Sequence, residues 1–125
     1  MFTADQLVAH LVGDYLLQSH WMATRKTKEH FAAFVHATVY CWPFLFLVPD
    51  GVRGVLALAL IGGTHFVIDR WRLARFVVWA KNGARGPVTA TGYPDDVPPW
   101  LATWLLIIAD NVLHILINGA VLLLV

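Results

Sequence analysis

The sequence predicts an all-α protein, a four-helix transmembrane bundle with a basic amphipathic extension of the third helix. Three observations predict it. Of 125 residues, 58% are hydrophobic and only 14% charged, with a mean hydropathy of +0.63. That balance is far from the average soluble domain. Four windows are apolar over about the 20 residues that a bilayer-spanning helix needs. Lysine and arginine concentrate in alternate connections between those windows, as they do in cytoplasmic loops.

The first span runs from about Thr3 to Met22, with Thr3 offering a side-chain oxygen as N-cap. The second runs from about Glu29 to Val48 and carries Pro43 near its far end. The third begins near Val52, after "PDG", spans about residues 52–69, and extends through "RWRLARFVVWAK" to residue 81. The fourth runs from about Pro99 to Val125, with "PP" at its first turn, where proline is tolerated. Residues 82–98, "NGARGPVTATGYPDDVP", are too rich in Gly, Pro and Asp for a regular element. A mobile linker is expected there, a lid or substrate-access loop being the alternative. The length suits one domain covering 1–125.

Charge placement orients the spans. The first connection holds Arg25, Lys26 and Lys28, and the stretch after the third span holds Arg70, Arg72, Arg75, Lys81 and Arg85. The second connection holds only Arg53, and neither end of the chain holds Lys or Arg. Both basic connections are therefore expected to face the cytoplasm and both termini the outside of a bacterial cytoplasmic (inner) membrane. No removable signal peptide is expected, because a basic n-region and a small-residue cleavage site are missing. Trp21, Trp71, Trp79, Trp100 and Trp104 fall near the interfaces, where aromatic belts form. The single Cys41 excludes an internal disulfide and a Cys-based zinc site. The lipid bilayer is the expected partner, no nucleic acid is expected, and a homo-oligomer stays open.

The polar residues inside these spans carry the functional reading. An ionisable side chain at a helix centre costs about 2.5 to 3.5 kcal/mol on insertion scales, so each needs compensation. The first span holds His10 and Asp14, the second His36, the third His65 and Asp69, the fourth Asp110 and His114. Three of these sets are i,i+4 pairs, which lie on one helix face one turn apart. Two donors at that spacing can grip one ion, and helix bundles build metal sites from inward side chains on facing helices. At a rise of about 1.5 Å per residue, all four positions fall between the midplane and the cytoplasmic half. One His/Asp pair is equally explained by mutual pairing; three pairs plus His36 favour a ligand set.

His/carboxylate ligands suit a divalent metal, foremost zinc, with manganese or iron as alternatives. Seven donors suit two ions, or one ion with carboxylates supporting its His ligands. Gln18 extends the polar face of Asp14 by a turn. His20 and His30 are read as interfacial.

Together, "HLVGDYLLQSHWMA", "KTKEHFAAFVHATVY", "HFVID" and "DNVLH" resemble the DUF3307 family of small bacterial and phage integral membrane proteins. Its pattern falls on His10, Asp14, Tyr15, Gln18 and Trp21, on Lys28 and His36, on His65 and Asp69, and on Asp110 and His114. A looser similarity is to membrane-bound metal-dependent hydrolases of the YdjM type. It implies metal chemistry by fold-level analogy only.

Three functions follow as expectations. The first is a metal-dependent hydrolase with an intramembrane His/Asp site, acting on a lipid or a phosphate-containing amphiphile. Asp14, Asp69 or Asp110 would serve as general base, and Gln18, Lys28, Arg70 and Arg72 would hold substrate. The second is a proton or metal-ion transporter or channel, which four spans would support only as an oligomer. The third is a non-catalytic phage or host membrane effector with a closed structural metal site.

Overall fold

Six α-helices, and no strand, make up the computed structural model, which describes residues 2–125. Helix α1 (Ala4–Leu11) is capped by Thr3, whose Oγ1 accepts from the Gln6 amide at 3.2 Å. It runs on into a single π-helical turn, Val12–Leu16. Helix α2 (His20–Arg25) starts afresh, because Ser19 turns extended and its hydroxyl oxygen accepts from the Met22 amide. Helix α3 (His30–Tyr40) tightens into a 3₁₀ turn, Trp42–Phe46, where Pro43 has no N–H to continue the α-helical ladder. Helix α4 spans Val52–Trp71, α5 spans Ala74–Lys81 and α6 spans Pro99–Leu124.

Helices α1, α3, α4 and α6 form a closed ring: α1 packs on α6, α6 on α4, α4 on α3, and α3 on the π-helical turn. Helix α5 lies on α6, and α2 on α3. Phe2 lies against Gly119, and Leu47, Val48, Leu122 and Val125 join one apolar cluster around Tyr40, Phe44 and Ile61. The second connection and both ends of the described chain therefore share one end of the ring. Arg70 Nη1 donates to the Thr27 carbonyl at 2.9 Å, which ties the two basic connections together at the other end.

Two of the four expected spans are single helices long and apolar enough to cross a membrane, α4 with 20 residues and α6 with 26. The first expected span breaks at residues 17–19, and the second keeps only 11 α-helical residues before its 3₁₀ turn. The basic extension of the third span is a separate helix. Arg72 adopts a left-handed conformation (φ 53, ψ 49), and the amides of Arg72 and Leu73 turn back to the carbonyls of Asp69 and Ile68. The 82–98 segment is more than a linker. Gly92 is buried at positive φ against the backbone of Arg75 and Trp79, and the Lys81 ammonium sits 5.3 Å over the Tyr93 ring.

Burial is inverted relative to a water-soluble bundle. Gln6, His10, Asp14, His36, His65, Asp69, His114 and Asn118 are buried, while Leu11, Leu16, Phe31, Phe34, Leu60 and Leu116 stand exposed.

Candidate metal centre

Asp14 reaches the middle of the ring because of the π-helical turn, a local widening that recurs at functional sites. Gly13 lets that turn press on α3: a Cβ there would lie 2.8 Å from both the ring and the carbonyl oxygen of Tyr40. The approach sets Asp14 beside His36. One helix over, His65 and Asp69 share a face of α4, and Tyr40 stacks flat on the His65 imidazole, centroids 3.6 Å apart and planes at 11°.

Four donor atoms converge. His36 Nε2 lies 3.2 Å from Asp14 Oδ1, 3.2 Å from Asp69 Oδ2 and 2.9 Å from His65 Nε2. His65 Nε2 lies 3.3 Å from Asp69 Oδ2 and 3.9 Å from Asp14 Oδ1. A tetrahedral ion with bonds of about 2.0–2.1 Å has ligand–ligand edges of about 3.3–3.4 Å, and the separations here, from 2.9 to 3.9 Å, bracket that length. All four residues are buried, and the group can hold a metal ion. A second group, Asp14, Asp110 and His114, shares the Asp14 carboxylate. His114 Nδ1 faces the Asp110 carbonyl at 2.9 Å. A carbonyl only accepts, so Nδ1 carries the proton and the Nε2 lone pair is left free. That atom has no hydrogen-bond partner and stands 3.6 Å from Asp69 Oδ1. A backbone carbonyl that fixes the tautomer in this way is the usual support for a ligating histidine.

Lys26 completes the cluster. Its Nζ sits 2.6 Å from Asp69 Oδ2, 3.5 Å from Asp14 Oδ1 and 3.1 Å from His36 Nε2, to which it donates. Burial works to lower its pKa, but Asp69 and then Asp14 more than offset this, and the pKa is raised. One ammonium faces two buried carboxylates, and with the adjoining imidazoles neutral one negative charge would be left over, which is costly at low dielectric.

A cavity of about 360 Å³ opens beside these groups, lined by Asp14, Asp69, Asp110, Lys26 and Arg72 among others.

The family profile described as a protein of unknown function, DUF3307, matches residues 2–125. The chain belongs to the DUF3307 family. No curated protein and no solved structure matches it.

The structure sorts the candidate residues of this DUF3307 protein. Asp14, His36, His65 and Asp69 meet in one group, with Asp110 and His114 in the adjoining one. His10 stands apart from both. Asn111 donates through Nδ2 to Tyr15 and the Ile107 carbonyl, so its Oδ1 accepts from His10 Nε2 at 2.7 Å. His10 Nδ1 then accepts from the Tyr40 hydroxyl at 2.8 Å, which itself accepts from Asn118 at 2.6 Å. Both ring nitrogens of His10 are engaged in hydrogen bonds, and neither candidate metal group includes it. Gln18 lines the cavity, and its Oε1 is buried with no hydrogen-bond partner. Arg72 lines the cavity as well; Lys28 is exposed and lies outside it, and Arg70 is engaged by Thr27.

Sequence reasoning missed the place of Lys26 in this cluster. Lys26 is one of three basic residues in a single connection, and composition does not distinguish it from Lys28.

Proposed function

We propose that this protein is a multi-pass membrane hydrolase that uses one or two divalent metal ions, foremost zinc, on a lipid or a phosphate-containing amphiphile. The carrying observation is the convergence of His36 Nε2, His65 Nε2, Asp14 Oδ1 and Asp69 Oδ2 at separations that bracket a tetrahedral ligand edge. A divalent ion there would offset the uncompensated charge and supply Lewis-acid polarisation of an ester oxygen. Asp110 lines the cavity beside the same centre, and His114 groups with it and with Asp14. The half-buried Asp110 carboxylate would take the proton that water loses as its oxygen bonds to the electrophilic atom, and would return it to the leaving oxygen as the ester bond breaks.

Four membrane crossings are part of this reading, through α1 with its π-helical turn, α3 with its 3₁₀ turn, α4 and α6. The apolar outer faces and polar interior support it, since every buried polar group must then be satisfied within the protein. A hydrolase is favoured over a carrier because the end of the ring away from the cavity is filled by Tyr40, Phe44, Ile61 and Val121, an apolar plug across any second exit.

Metal analysis of the detergent-purified protein tests the proposal. Stoichiometric zinc, manganese or iron is expected in the wild type, and its loss is expected in His65→Ala and Asp69→Asn. A wild type that is pure, folded and free of bound metal after reconstitution with each ion would overturn it.

A further inference from the structure

The charged residues that line the cavity bear on what it accepts. We infer that it binds a phosphate group between Arg72 and Lys26, an inference that rests on the divalent-metal reading above. Lys26 follows the end of α2 and lines the cavity with its Nζ on Asp69. Arg72 ends α4 and lines the same cavity. It does so from a left-handed position, which helices usually fill with glycine, so a long cationic side chain sits where the backbone favours none. A guanidinium fork and a mobile ammonium are the two side chains suited to phosphate oxygens. Gln18 brings a buried amide with an unpartnered Oε1, and Leu106 and Ile107 supply an apolar wall.

The cavity lining also includes Asp14, Asp69 and Asp110. Three carboxylates outnumber the two cations and repel an anion. With a divalent ion at the centre the balance turns positive. Phosphate binding is therefore metal-dependent, and metal and phosphate meet in one cavity. The phosphate belongs either to a lipid headgroup or to a soluble molecule, and both offer the same oxygens to Arg72.

The test uses the full chain in detergent micelles, with metal content measured first. Calorimetric titrations with inorganic phosphate and, separately, with micellar phosphatidic acid are run on metal-loaded and chelator-treated protein. Metal-loaded wild type is expected to bind at least one probe, and chelated protein neither. Arg72→Gln is expected to weaken binding about ten-fold, the loss of one charge-assisted contact. Lys28→Gln, an exposed charge outside the cavity, is expected to leave it unchanged. Preference for phosphatidic acid assigns the phosphate to a lipid, and equal affinity assigns it to the phosphate group alone; both support the site. Metal-loaded protein that binds neither probe, or an Arg72→Gln affinity equal to wild type, overturns the phosphate site and leaves the metal reading standing. Parallel losses in Lys28→Gln and Arg72→Gln also overturn it, since surface charge then explains the effect. Protein without metal overturns both.

Discussion

Lys26 brings one positive charge to a cluster in which Asp14 and Asp69 bring two negative ones. Removing it leaves both carboxylates facing only imidazoles, and breaking a buried pair costs about 3–5 kcal/mol. Lys26→Met is therefore expected to lower the melting temperature of chelator-treated protein by more than that of metal-loaded protein, where the divalent ion supplies the missing charge. Equal losses in the two states, read by thermal unfolding in one detergent, would show that the lysine acts through packing alone. His10 provides the converse case. In His10→Ala the Tyr40 hydroxyl and Asn111 Oδ1 lose buried partners, at about 1–3 kcal/mol each for an unsatisfied group, yet bound metal is expected to remain stoichiometric. Loss of metal in this variant would return His10 to the ligand set. The contrast shows how far the site is legible in the sequence. The i,i+4 pairs on α4 and α6 place two polar side chains on one inward face whatever surrounds them. His10 and Asp14 have the same spacing, but the π-helical turn between them and the hydrogen bonds of Asn111 send them to different partners, and spacing carries no sign of either.

At the scale of the element, two backbone features hold the centre, and each has its own signature on substitution. Gly13 sits where a methyl group would press into the ring and carbonyl of Tyr40. Gly13→Ala is expected to cost about 1–3 kcal/mol by overpacking and to push the π-helical turn off α3. Asp14 then moves away from His36, and metal retention against a chelator should fall about ten-fold, as for loss of a supporting contact. Unchanged retention with lowered stability would separate the packing of this turn from its role at the centre. Arg72 behaves in the opposite sense. A left-handed non-glycine residue costs about 1–2 kcal/mol, so Arg72→Gly is expected to raise the melting temperature by relieving that strain while weakening phosphate binding. A lowered melting temperature would mean that the arginine side chain stabilises the fold more than its backbone strains it. Neither feature is readable in advance. The window around Ser19 stays apolar enough to pass for one continuous span, and no glycine marks the end of α4, so hydropathy alone runs α4 into α5. Pro43 is a partial exception: the second expected span runs past it to Val48, and the structure turns from α-helix to a 3₁₀ turn around it.

The whole molecule makes its orientation testable, because the ring sorts its ends by chemistry. Arg70 bonded to Thr27 holds the two basic connections at one end, beside the cavity. Phe2 on Gly119, and Leu47 clustered with Val125, hold the opposite end. Both ends of the described chain lie on the same side of the ring, as the proposed four crossings require. The helices α4 and α6 have lengths of about 30 and 39 Å at 1.5 Å per residue, enough for a hydrocarbon layer of about 30 Å. The two interrupted segments complete the ring beside them. Lysine and arginine favour the cytoplasmic side, so the cavity end is expected to face the cytoplasm and the termini the outside. Alkaline phosphatase fused after Val125 should then be active in a bacterial host, and the same enzyme inserted in the 82–98 loop should be inactive. Green fluorescent protein at the two positions should report the reverse. Fluorescence from the C-terminal fusion with phosphatase activity from the loop would invert the orientation and place the cavity outside. Phosphatase activity at both positions would mean that α6 does not cross, and would break the four-crossing reading at the helix best able, by length and composition, to span the bilayer.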